Sequence, residues 1–218
     1  MKISYFQKNN SEKENWDNIT RDERYFCSEL FHNLRSDQSG ILSLIKEGII
    51  AEEKKGKEKL NFLKNTESKR FDIGFEACFY RDMLYLYKDK RKEYEARNGK
   101  IKLSYKRTFD LALFSEDAII IIEAKAQQGF DTKQLDVFRK DKNDIKELFQ
   151  IIGKNKPQVF MIGLYSSKYS PKSTTISPFD SIIKWKDIAE KYPDSKDLFI
   201  HANDIYPNKK DSEESKSV

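Results

Sequence analysis

The stretch Phe109-Asp-Leu-Ala-Leu-Phe-Ser-Glu-Asp-Ala-Ile-Ile-Ile-Ile-Glu-Ala-Lys125 decides how this chain folds. Phe109 to Phe114 and Ala118 to Ala124 are apolar runs of strand length. The polar turn Ser115-Glu116-Asp117 between them is short enough to return the chain as an antiparallel hairpin. Paired strands lie about 4.8 Å apart, so Asp110 on the first strand comes beside the charged end of the second. Side chains alternate along a strand, which puts Ile119, Ile121, Glu123 and Lys125 on one face and Ala118, Ile120, Ile122 and Ala124 on the other. The spacing predicts two carboxylates and an amine at one end of the hairpin, with Glu123 and Lys125 projecting together.

A Glu-x-Lys ending to an apolar strand is, on its own, a strand reaching the surface with a modest exposed ion pair. Asp110 changes its meaning, because an Asp and a Glu on adjacent strands can hold a hard divalent cation through oxygen ligands. The Lys125 ammonium is then within reach of a phosphate.

Asp110, Glu123 and Lys125, with an acid on an upstream helix, resemble the PD-(D/E)xK nuclease superfamily, the restriction-endonuclease-like fold. The resemblance covers about residues 20 to 165, and Phe109 stands where the motif's Pro would be. Gln127, Gln128 and Gln134-Leu135 follow the motif, and some branches of the superfamily carry a Gln on the helix after the Glu-x-Lys strand. The resemblance implies an α/β fold with an αβββαβ core and a mixed central β-sheet flanked by helices. It implies Mg²⁺, with Mn²⁺ able to substitute, held by Asp110, Glu123 and the Ala124 carbonyl, with Glu23 or Glu76 as the further acid. Lys125 would assist water attack and stabilise developing charge. The implied activity is that of a deoxyribonuclease leaving 5′-phosphate and 3′-hydroxyl ends, with RNA still open as a substrate and a homodimer suited to two-strand cleavage. A catalytically silent nucleic-acid-binding or assembly protein on the same fold is the alternative, and intact Asp110, Glu123 and Lys125 argue against it.

The 218 residues suit one domain with a substantial core. The boundaries expected are 1–206, with the core at about 20–165, additions at 166–206, and a disordered tail at 207–218. Charged residues make up 35% and the net charge is +5, which favours anionic partners. Cys27 and Cys78 lie in apolar surroundings without metal-ligand spacing, which suits a reducing cytoplasm. No run is long and apolar enough to span a membrane, and Met1 to Asn10 lacks the pattern of a secretion signal.

Along the chain, Arg21 to Arg35 reads as a helix capped by Thr20, with Phe26, Cys27, Leu30, Phe31 and Leu34 as its buried stripe. Glu23 heads that stripe and is the first choice for the upstream acid. Its bland role is a capping-box glutamate bonded to backbone near Thr20. A second helix is expected over Gly40 to Glu47, ended by Gly48, and a helix or mobile connection over Glu52 to Lys69. Arg70 to Lys88 reads as extended from its alternation, which makes Glu76 the other candidate acid. Ile101 to Tyr105 is a further expected strand. After Lys125 come a helix from Asp131-Thr132 to Phe149, a strand over Val159 to Tyr165, a strand over Ile182 to Trp185, a helix over Lys186 to Lys191, and an ambiguous element at Leu198 to Ile200.

Lys88, Lys90, Arg91, Lys92, Arg97, Lys100, Lys102, Lys106 and Arg107 form a basic cluster before the motif, interleaved with Tyr85, Tyr87, Tyr94 and Tyr105. Such a cluster suits phosphate-backbone contact and base stacking. Arg91, Lys92, Lys106, Arg107, Gln127 and Gln134 are the candidate nucleic-acid contacts. A solvated lysine-rich surface would produce the same composition.

Overall fold

The computed structural model describes residues 6–8, 12–14, 16–49, 54–65, 70–90, 92 and 106–207. The expected strand at Ile101 to Tyr105, the candidate contact Arg91 and the tail beyond Pro207 lie outside the described residues. Two short strands, β1 (Phe6–Lys8) and β2 (Glu12–Glu14), pair antiparallel as a separate ribbon. Helices α1 (Trp16–Ile19), α2 (Glu23–Ser36), α3 (Ser39–Gly48) and α4 (Lys54–Asn65) follow. The central sheet uses β3 (Asp72–Ala77), β4 (Phe109–Phe114), β5 (Ala118–Lys125), β6 (Gln158–Tyr165) and β7 (Ser181–Lys184), side by side in that order. Between and after these strands lie α5 (Phe79–Leu86), α6 (Thr132–Ile151), α7 (Ser173–Ile176), α8 (Trp185–Lys191) and α9 (Lys196–Asp204).

The hairpin reading holds. β4 pairs antiparallel with β5 from Leu111–Ile122 to Phe114–Ile119, and β3 pairs antiparallel with β4. β5 to β6 and β6 to β7 are parallel, so the sheet is mixed. A parallel pair needs a crossover connection, and α6 supplies it between β5 and β6.

Alternation along β5 sorts the core into two layers. Ala118, Ile120, Ile122 and Ala124 pack with Phe26, Leu30 and Leu34 of α2, Ile41 and Ile45 of α3, Trp185 and Ile188 of α8, and Phe199 of α9. Ile119 and Ile121 pack with Phe79, Tyr80 and Leu84 of α5 and with Leu135, Phe138, Ile145 and Leu148 of α6. Every residue of β5 is buried. A strand covered on both faces reads as a continuous apolar run, which explains the four isoleucines.

Two readings are corrected. The cap of α2 is Asp22, whose carboxylate accepts from the Arg24 N–H at 3.0 Å, while the Thr20 hydroxyl accepts from the Asp22 N–H at 3.3 Å. Glu23 is therefore the first helical residue and not the third, and it is free of the capping-box role. The extended reading of Arg70 to Lys88 ends at Ala77, and within β3 Glu76 has φ 48°, in the left-handed region, where pairing to β4 skips a residue. Beyond it, Phe79, Tyr80 and Leu84 share one helical face and pack on Phe109, with the Phe79 and Phe114 rings stacked at 5.8 Å. Residues Leu198 to Ile200 belong to α9.

Candidate functional site

The end of β5 is gripped from both helix layers. Lys125 Nζ donates to Glu23 Oε1 on α2 at 3.0 Å and to the Ala124 carbonyl at 2.7 Å. Glu23 Oε2 accepts from the Ala126 N–H at 2.9 Å, so one carboxylate holds both the side chain and the backbone that leave β5. The Lys125 carbonyl accepts from the Trp185 indole N–H at 3.0 Å. Glu123 turns to the other layer, where Arg107 Nη2 donates to its Oε1 and Arg107 Nε donates to Asp141 Oδ2 at 3.1 Å. Tyr80 completes that side, its hydroxyl donating to Asp141 Oδ1 at 2.7 Å. Glu123 and Lys125 leave the same strand end, yet their hydrogen-bond partners lie on opposite layers.

Asp110 sits between these groups. Its Oδ2 accepts from the Ala124 N–H at 2.9 Å, across the hairpin. The pairs Phe75–Leu111 and Ala77–Phe109 bracket Glu76 and Asp110, and the pair Leu111–Ile122 leads one step on to Asp110 and Glu123. Glu76 and Asp110 therefore stand beside each other on neighbouring strands, and Asp110 reaches the third strand through its bond to the Ala124 N–H. Glu76 pairs with Arg24 of α2 at 3.0 Å. A cavity of about 200 Å³ beside Asp110 is lined by both candidate upstream acids, Glu23 and Glu76, with Arg24, Cys27, Phe75 and Thr108.

Burial and charge decide the protonation of this cluster. Glu123 is 4% exposed. Burial, and then the neighbouring Asp110, push its carboxyl up to about 8 against the opposing pull of Arg107. Burial likewise holds the Glu23 carboxyl above its ordinary range despite Lys125, and the Asp141 carboxyl above its range despite Arg107. Lys125 goes the other way from a buried amine. Burial opposes its charge, but Glu23 and Asp110 outweigh burial and keep the ammonium above its usual range. The Lys125 side chain is a fixed cation.

The oxygens of Asp110, Glu123 and the Ala124 carbonyl are hard donors of the kind Mg²⁺ and Mn²⁺ prefer. Among the described residues no three His, Cys, Asp or Glu side chains converge as a ready metal-ligating group. Arg107 engages Glu123, and Lys125 engages the Ala124 carbonyl. The donor chemistry fits a divalent ion on condition that it displaces these two cations.

The candidate nucleic-acid contacts divide. Lys92 and Lys106 are exposed. Arg107 points inward onto Glu123 and Asp141, its guanidinium 5.1 Å from the Phe109 ring centre and 5.3 Å from that of Phe138. Gln127 is tied to Arg21 at the entrance of α2, accepting from its Nε at 3.0 Å and donating to its carbonyl. Gln134 is exposed at the start of α6, where its Oε1 lies 3.4 Å from the Asp131 N–H.

Asp141 and Tyr80 were not among the candidates drawn from sequence. The signal for Asp141 was present, since it falls three residues after Phe138 and four before Ile145, inside the apolar stripe of α6. A carboxylate at a stripe position must find a buried partner. Comparison with family models, curated proteins and solved structures returns no match to this chain.

Proposed function

We propose that the chain is a metal-dependent nuclease hydrolysing phosphodiester bonds of DNA on a restriction-endonuclease-like αβββαβ frame. The observation that carries this reading is the crowding of carboxylates, buried and half-buried, at the end of β5. Glu23, Asp110, Glu123 and Asp141 gather there around the cations Arg107 and Lys125. A divalent ion bound by Asp110, Glu123 and the Ala124 carbonyl would offset that excess, and it would supply Lewis-acid activation and charge neutralisation at a phosphate.

The chain's own residues account for the rest. Lys125 is kept protonated by Glu23 and Asp110, so it stabilises negative charge on the phosphoryl oxygens and does not act as a base. Glu23 fixes the position of that ammonium through the bond to Nζ. Arg107 holds Glu123 in its buried position and, anchored by Asp141, limits where the carboxylate can move. Lys92 and Lys106 are exposed just upstream in sequence and suit contact with the phosphate backbone. The hydrogen bond of Arg107 to Glu123 favours a second reading, a catalytically silent nucleic-acid-binding protein in which the same network serves only stability.

The test is incubation with plasmid, linear and single-stranded DNA and with RNA, in Mg²⁺, Mn²⁺ or EDTA, beside Asp110→Ala and Lys125→Ala. Metal-dependent cleavage lost in both variants is expected. Cleavage that persists in EDTA or in either variant rules out this mechanism, and DNA binding without cleavage in any metal selects the second reading. Calorimetric titration of Mn²⁺ should weaken in Glu123→Ala, and unchanged binding removes Glu123 from the ligands.

A further inference from the structure

At the β7 edge of the sheet a cavity of about 460 Å³ opens between α3, α4, α6 and the segment 173–182. That volume lies within the range of small-molecule sites, roughly 300–1,000 Å³. Its wall carries Lys59 of α4 and Lys142 of α6, which converge on one carboxylate, Asp180, whose side chain is 4% exposed. Lys142 Nζ donates to Asp180 Oδ1 at 3.0 Å and to the Pro178 carbonyl at 2.9 Å, and Lys59 Nζ donates to the same Asp180 oxygen. Asp180 Oδ2 also accepts from the Met161 N–H at 2.8 Å, which fixes the carboxylate against β6.

One carboxylate facing two ammonium groups leaves an excess positive charge at the cavity wall. Burial holds the Lys142 amine below its ordinary range against the pull of Asp180, and Lys59 and Lys146 add smaller effects in the same direction as burial. A second observation lies at the same wall. Ser181 is 2% exposed and lines the cavity, yet its hydroxyl has no hydrogen-bond partner among the described residues. A buried hydroxyl in that state costs about 1–3 kcal/mol, and a ligand oxygen would remove the cost. The remaining wall includes the apolar side chains of Ile49, Ile176, Phe179 and Ile182.

We propose that this cavity binds a small phosphomonoester of mononucleotide size, its phosphate facing Lys59, Lys142 and the Ser181 hydroxyl and its organic body lying on Ile49, Ile176 and Phe179. Excess cationic charge, a partnerless hydroxyl and an apolar wall in one cavity match the two halves of such a ligand. The site is separate from the end of β5. Ile182 pairs with Gly163, which pairs with Glu123, so the two positions stand two strand spacings apart, roughly 10 Å. The inference stands independently of the nuclease reading.

The test is calorimetric titration of the full chain in EDTA with 5′-AMP, inorganic phosphate and adenosine. Saturable 5′-AMP binding is expected, with adenosine weaker by roughly tenfold or more. Lys59→Gln and Ser181→Ala should each weaken 5′-AMP by about fivefold or more, while Asp110→Ala leaves it unchanged. Thermal melts show that the variants fold, and Ser181→Ala is the safer of the two because it removes a group with no partner among the described residues. Absence of saturable 5′-AMP binding up to about 10 mM overturns the proposal. Adenosine binding as tightly as 5′-AMP does so too, as does wild-type affinity in either site variant. Loss of binding in Asp110→Ala would move the site to the end of β5 and equally overturn it.

Discussion

Glu23 Oε1 accepts a hydrogen bond from Lys125 Nζ at 3.0 Å, joining the first residue of α2 to the last residue of β5. The pair is shielded, with side-chain exposures of 27% and 7%, so it is screened less than a surface ion pair. A double-mutant cycle with Glu23→Gln and Lys125→Met is expected to give a coupling of about 1–3 kcal/mol in urea unfolding. Additivity of the two single effects would mean that the bond contributes nothing to folding.

The pH dependence follows from Glu123. Its ordinary value is 4.5, and in the folded chain its carboxyl titrates at about 8. Between those values the folded chain holds a proton that the unfolded chain has released, so stability falls as pH rises, by up to about 1.4 kcal/mol per pH unit. Glu123→Gln lacks this titration. Its melting temperature should gain on the wild type steadily from about pH 5 to pH 8, whatever the fixed offset between the two proteins. A constant gap across that range, or one moving the other way, would falsify the assignment.

Tyr80→Phe tests the outer part of the same network. It removes the donor to Asp141 Oδ1 while keeping the ring that packs on Phe79 and Phe109. The Asp141 carboxylate stays buried at 3% exposure with one donor fewer, so a loss of about 1–3 kcal/mol is expected in chemical unfolding. A loss near zero would mean that Arg107 alone satisfies Asp141.

Glu76 adopts φ 48°, where a side chain costs about 1–2 kcal/mol and glycine costs little. Glu76→Gly and Glu76→Ala both delete the carboxylate that pairs with Arg24. Their difference therefore isolates the backbone. The glycine variant should be the more stable by about 1 kcal/mol, and the reverse order would place this residue in ordinary strand conformation.

Gly48 closes α3 against β7, and a Cβ there would meet the Ser181 hydroxyl at 2.3 Å and the Ile182 carbonyl oxygen at 2.7 Å. Helix propensity alone favours Gly48→Ala. Overpacking against a backbone oxygen wins, so a destabilisation of about 1–3 kcal/mol is expected from thermal melts. A variant as stable as the wild type would show that α3 can move off the sheet edge.

The sequence by itself determined the parts of the molecule that depend on local pattern. The hairpin from Phe109 to Lys125, its buried faces, the α2 stripe of Phe26, Leu30 and Leu34, and the strand over Val159 to Tyr165 all follow from apolar runs, alternation or helical spacing. It also placed Asp110 beside Glu123, because a three-residue turn fixes register within narrow limits. The switch from strand to helix after Ala77 was hidden, since Phe75, Ala77 and Phe79 fit an extended alternation as well as they fit the strand end and the helix that follows it.

Tertiary structure decided which charge meets which. Arg107 read as one more cation of a basic run, and folding buries it between Glu123 and Asp141, 34 positions apart from the latter. Glu23 read equally well as a cap or as a functional acid, until the packing of α2 on the end of β5 gave it the Lys125 ammonium and the Ala126 N–H. These partners are remote in sequence, and a charged side chain selects among them only when burial removes water as the competing partner.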